Sequence, residues 1–126
     1  MIRTTNFEMA GDFMEAYRQD IPLYPTWPES ATQNLRMALI DEEVGELRQA
    51  IKDRNMIEVA DALTDILYVV YGAGHAFGID LDECYNEVHR SNLTKLGEDG
   101  RPLKDADGKV MKGPNYEPPN LEQYLV

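Results

Sequence analysis

Cysteine is almost absent from this 126-residue sequence: Cys84 stands alone. One cysteine closes no intramolecular disulfide, so the fold must be held by packing rather than by staples. Histidine is scarce too. His75 and His89 lie fourteen positions apart, which leaves zinc without the Cys/His set it prefers. No run approaches the ~20 apolar residues of a membrane span, and Met1-Ile2-Arg3-Thr4-Thr5 has no apolar core of a signal peptide. Positive charge is the last scarcity. Twelve Lys and Arg stand against 23 Asp and Glu, for a formal charge of -11. A nucleic-acid binder needs a basic footprint to displace phosphate counterions, so direct nucleic-acid binding is disfavoured. The expectation is a soluble, cytoplasmic protein with neither nucleic acid nor membrane as partner. An anionic small molecule stays open, provided divalent cations bridge it to the acidic surface.

The length fits one domain, since domains cluster near roughly 100–150 residues. Phe7, Ala10, Phe13, Met14 and Tyr17 recur at helical spacing and predict a first helix within 5–20. Residues 21–28 hold three prolines and the sole tryptophan, Trp27, and must be an extended connector; residues 1–29 form this N-terminal part. Ser30 starts a long second helix of about 24 residues with Met37, Ile40, Val44, Leu47 and Ile51 as its apolar stripe. Asp53-Arg54-Asn55 interrupts it, and Asn55 is placed to cap a third helix from Met56 to about Phe77. That helix is apolar on more than one face, which predicts a subunit interface as well as a core. Gly78 ends it, and Asp80 with Glu83 opens a fourth helix. From Gly97 onward, glycine and proline punctuate a tail, residues 97–126, without helical periodicity. Asp107-Gly108 between Leu103 and Val110 can turn a short hairpin. The fold expected is all-α: a helical bundle with its acidic core at residues 30–96 and an irregular or short-hairpin tail.

The chemistry lies in residues 41–65. Glu43 and Glu46 are three apart on the second helix, and Glu58 and Asp61 three apart on the third, so each pair shares a helix face. A short connector makes the two helices antiparallel neighbours. Counted outward from the turn, Glu46 should meet Glu58, with Glu43 and Asp61 one turn deeper. Four converging carboxylates repel unless cations neutralise them. Oxygen ligands without nearby Cys or His point to Mg²⁺ or a similar ion such as Mn²⁺. Acidic helix residues are otherwise a solvated face, but Glu58, Asp61 and Asp65 sit in an apolar segment where unpaired charge is costly. A di-iron site would need Glu-x-x-His, and Asn86 and Gly72 occupy the positions three before His89 and His75. Asp105-Ala106-Asp107-Gly108 lacks the rest of a calcium loop and reads as a turn.

The ordered set Glu42-Glu43-x-x-Glu46, Glu58-x-x-Asp61 and Asn92-x-x-Lys95 resembles the MazG-like all-α nucleoside triphosphate pyrophosphohydrolases, over about residues 30–96. Related to these are dimeric dUTPases and phosphoribosyl-ATP pyrophosphohydrolases. The resemblance implies a four-helix MazG-like fold, assembly as a homodimer or homotetramer through its helices, and hydrolysis of a nucleoside triphosphate to monophosphate plus pyrophosphate. It makes Glu43, Glu46, Glu58 and Asp61 ligands of Mg²⁺, and Glu42 the residue that orients or deprotonates the attacking water. Asp65 continues the acidic stripe and reads either as a further site residue, on an ion or a sugar hydroxyl, or as structural. Asn92 and Lys95 suit a hydroxyl and a phosphate oxygen. Lys109 and Lys112 belong to a basic stretch that either folds over the phosphates or stays solvated. Trp27 either stacks on a base, with Gln33 or Asn34 reading its edge, or anchors a core. The substrate expected is a deoxynucleoside triphosphate in nucleotide-pool housecleaning, with phosphoribosyl-ATP second. A non-catalytic acidic helical interaction module is the alternative of a different class.

Overall fold

The computed structural model describes residues 4–126, and among these are four α-helices, α1 (Asn6–Ala16), α2 (Ser30–Lys52), α3 (Met56–Ala76) and α4 (Leu81–Leu93), and a short 3-10 turn at Glu122–Tyr124. Among the described residues there is no β-strand beyond one isolated bridge, so the all-α expectation holds. No described helix is long and apolar enough to cross a membrane. Met1, Ile2 and Arg3, part of the stretch read for a signal peptide, lie outside the described residues. The chain divides into two compact units, one ending at Leu81 and one spanning Asp82–Val126, so α4 groups with the tail.

In the first unit, α1 starts on a reciprocal cap. Glu8 N donates to Thr5 Oγ1 at 3.1 Å, and Thr5 N donates to Glu8 Oε1 at 3.0 Å. The helix lies within the expected 5–20 but leaves Tyr17, the last residue of the pattern, as its C-cap. It stops at Ala16 because Arg18 turns left-handed (φ 57°) and Gln19 N folds back onto Met14 O. The proline connector is tied down by Thr26 N donating to Phe77 O, and by Trp27 packing edge-to-face on Phe77. Gly78, at φ 68°, sits where a Cβ would collide with Tyr24 O; only glycine fits.

Helices α2 and α3 form an antiparallel hairpin about Asp53-Arg54-Asn55. As expected, Asn55 caps α3, its Oδ1 accepting from Glu58 N at 3.2 Å. The inner face of α2 keeps part of the predicted stripe, with Ile40, Val44 and Leu47 half-buried. Met37 and Ile51 are exposed (57% and 59%), while Arg36 and Ala50 are buried and Glu43 is half-buried. These three are seven residues apart, two turns each. The seam thus runs through two charged side chains, one residue round from the apolar stripe. On α3 the facing seam is small or acidic: Ala62 and Gly72 are buried and Asp65 is half-buried. The outer face of α3 carries Leu63, Leu67 and Val70 at 48%, 51% and 37% exposure.

In the second unit, the tail is held by Glu87 and Ser91 of α4 and by Thr94 just past the helix end. Ser91 Oγ donates to Glu117 O at 2.7 Å, and Glu87 Oε2 accepts from Asn120 N at 2.7 Å. The expected short turn forms: Lys104 and Val110 pair as an antiparallel bridge around Gly108 (φ 82°). Asp105 Oδ1 accepts from both Asp107 N and Lys109 N at 2.9 Å, so that carboxylate is engaged as a turn.

Candidate metal centre

A hairpin places residues at equal distance from its turn opposite one another. Glu43 stands nine residues before the end of α2 at Lys52, and Asp65 nine residues after the start of α3 at Met56. They therefore share one level, roughly 13 Å from the turn. Glu46 is six residues from its helix end, near Asp61 at five, whereas Glu58 is only two residues in.

The structure follows this count. One carboxylate oxygen each from Glu43, Glu46 and Asp65 lie within 4.8 Å of one another. Among the described residues this is the one group of three or more such ligands at that spacing. Glu58 and Asp61 line a cleft of about 450 Å³ with Glu46, Gln49 and Asp53, next to that cluster. The predicted register, Glu46 against Glu58 and Glu43 against Asp61, is thus displaced by about one turn. Glu43 meets Asp65. Asp61 and Asp65 share the same face of α3, but only Asp65 lies as far from the turn as Glu43.

The electrostatics are those of a cluster lacking its counter-charge. Partial burial, a hydrogen bond shared with Glu46, and the negative charges of Glu46, Asp65 and Glu42 push the Glu43 carboxyl up to about 7. Asp65 is raised as well, by burial first and then by Asp61 and Glu46. Glu43 Oε2 is buried without a hydrogen-bond partner. A buried carboxylate oxygen with no donor is costly unless a cation meets it. The donor set is oxygen only, which fits a hard ion such as Mg²⁺ and not zinc.

The other predicted residues lie elsewhere. Glu42 is exposed on α2 beside the cluster. Trp27, 81% exposed, lines a separate cavity of about 510 Å³ with Asp20, Glu29, Thr32 and Ala76. That cavity is at the far end of the hairpin, and Thr32 is roughly 16 Å along α2 from Glu43. Gln33 donates to Pro28 O at 2.7 Å. Asn92, Lys95, Lys109 and Lys112 belong to the second unit. Asn92 is exposed on α4, but Lys95 lies past the helix end at Leu93, in a turn where its N–H donates to Asn92 O. Lys109 is exposed, and Lys112 Nζ sits 4.9 Å over the Tyr116 ring. Sequence reading missed Arg36, a buried cation on the same seam. A lone arginine on a long helix ordinarily reads as solvated.

Comparison with known proteins gives the family. Residues 10–92 match the phosphoribosyl-ATP pyrophosphohydrolase family. The chain belongs to that family, and so to the MazG-like pyrophosphohydrolases that its acidic motifs resemble. It is 38% identical over 114 residues to the uncharacterised protein L479 of Acanthamoeba polyphaga mimivirus, an alignment taking in 87% of this chain. The chain spans 43% of the length of that relative. A crystal structure from Exiguobacterium sp. 255-15, which carries an NTP pyrophosphohydrolase assignment, is 24% identical and has a TM-score of 0.46. It matches over 93% of this chain and 90% of its own.

Proposed function

We propose that the chain is a Mg²⁺-dependent pyrophosphohydrolase, cleaving a deoxynucleoside triphosphate to monophosphate and pyrophosphate in nucleotide-pool housecleaning. The observation that carries this reading is the convergence of Glu43, Glu46 and Asp65 on one point, with a Glu43 oxygen buried and unpartnered. These three would hold the ion, and Mn²⁺ would substitute for Mg²⁺. Glu58 and Asp61 would line the adjoining cleft for a further ion. A divalent cation there supplies neutralisation of phosphate charge, the main demand of phosphoryl-group hydrolysis. It also explains how so acidic a protein admits an anionic substrate. Glu42 points about 100° round the helix from Glu43 and is the residue we assign to orienting and deprotonating the attacking water. Asn92, Lys95, Lys109 and Lys112 are assigned to the substrate's sugar and phosphates. Assembly into a homodimer or homotetramer is part of the proposal, supported by the exposed Leu63, Leu67 and Val70 seam of α3. Intracellular nucleotides as substrate make the cytoplasm the expected location.

A second substrate, phosphoribosyl-ATP, is favoured by the family match over residues 10–92. A panel of triphosphates with phosphoribosyl-ATP included, assayed with Mg²⁺ for pyrophosphate against phosphate, tests both. Pyrophosphate release that chelation abolishes is expected. No turnover together with no Mg²⁺-dependent thermal shift would leave a non-catalytic helical interaction module instead.

A further inference from the structure

Arg36 is 8% exposed, and among the described residues no carboxylate pairs with it. A guanidinium offers only donors and stays charged at any ordinary pH. Its Nη2 donates to Gln19 Oε1 at 3.2 Å and lies 4.0 Å from Met14 Sδ, while Nε is buried with no partner. Leaving such a group unpaired in the interior is costly, which points to an acceptor supplied from outside.

The arginine lines a cavity of about 310 Å³ whose other walls include Phe13, Leu39, Tyr68 and Val69. Phe13 and Tyr68 meet edge-to-face at 5.6 Å. The cavity is therefore largely apolar, with the guanidinium donors of Arg36 at one side. Its place is equally specific. Leu39 is one turn from Glu43, and Val69 one turn past Asp65. Arg36 lies two turns, roughly 10 Å, from Glu43. Gly72 stands opposite Arg36 at the same depth in the hairpin, and a Cβ there would sit 2.7 Å from Arg36 Nη1.

We infer that this cavity is a nucleobase subsite selecting a 6-oxopurine, whose adjacent O6 and N7 acceptors face the Arg36 guanidinium. That pairing is the commonest arginine–base contact, whereas adenine turns its N6 amino donor toward the cation. The exposed Gln19, carried on the turn after Arg18, fills the acceptor role now and is displaced by the base. Trp27 lines a different cavity and has no part in this. Only the link to hydrolysis rests on the proposed function; base binding stands apart from it.

The test uses inosine and adenosine, which differ at the purine 6-position and carry no phosphate, titrated into the full chain without metal and followed by NMR. Inosine is expected to bind about tenfold tighter. Arg36→Gln should erase the preference. Gly72→Ala, which keeps the charge but displaces the guanidinium, should erase it too, with helicity confirmed by circular dichroism. Equal binding in the unaltered protein, tighter binding of adenosine or cytidine, or a preference surviving both substitutions overturns the inference. Hydrolysis of ATP as readily as ITP would sink the base assignment and leave the hydrolase standing. An inosine preference without hydrolysis of any triphosphate does the reverse.

Discussion

Two glutamates, one in each unit, have been pushed in opposite directions. Glu87 is 8% exposed and fully engaged: Oε1 accepts from Arg90 Nε at 2.8 Å, and Oε2 from Arg90 Nη2 at 2.9 Å and Asn120 N at 2.7 Å. Those bonds, Arg90 first and then the Asn120 backbone, hold its carboxyl down at about 2. Glu43 has a buried oxygen with no donor, sits among other carboxylates, and is pushed up to about 7. The chemistry of the side chain is the same, so the neighbours make the difference. Glu87 is satisfied by its own chain and pins the tail to α4. Glu43 shares a hydrogen bond with Glu46, but its buried Oε2 finds no donor in the chain, the signature of a group arranged for a ligand.

The sharpest break of this contrast is chemical. Glu46→Gln should abolish Mg²⁺-dependent pyrophosphate release while leaving helicity intact. The loss should exceed the ~10–100-fold typical of removing an outer-shell partner; retained turnover would count against the cluster. The register is tested next. Asp65→Asn should weaken Mg²⁺ binding, read by calorimetry, more than Glu58→Gln does, because Asp65 shares the tight group and Glu58 lines only the adjoining cleft. An equal or inverted order would remove Asp65 from the ion's ligands.

Smaller effects concern stability, and the two glutamates should respond with opposite sign. Glu87→Ala strands the Arg90 donors and the Asn120 N–H, and should lower the melting temperature by several degrees. Glu43→Gln relieves repulsion, and should raise the metal-free melting temperature by a degree or more. The pH dependence separates them as well. A carboxyl raised from 4.5 to about 7 binds more protons folded than unfolded across that window. Its stabilising contribution is complete below pH 4.5 and is lost as pH rises towards 7 in metal-free buffer. The Glu87 contribution is present above pH 4.5 and disappears as pH falls towards 2. Mg²⁺ should stabilise the protein more at pH 8 than at pH 5.5, since protons compete for the Glu43 oxygens. A Mg²⁺ effect independent of pH would show that Glu43 is not a ligand.

What could be read from residues alone was local. Three prolines in residues 21–28 ruled out a helix there, Asn55 announced the start of α3, and Asp107-Gly108 marked the tail's turn, because caps and turns are settled by a few neighbouring residues. The acidic composition of the α2–α3 hairpin was equally plain. Which carboxylates meet was not. A helix face repeats every three or four residues, so Asp61 and Asp65 are equivalent to a periodicity argument. The helix ends at Lys52 and Met56 fix the depth, and they put Glu43 level with Asp65. Arg36 makes the same point more strongly. Nothing local distinguishes it from a surface arginine. It becomes a buried, unpaired cation because α1 closes over it and Gly72 leaves room for it across the hairpin.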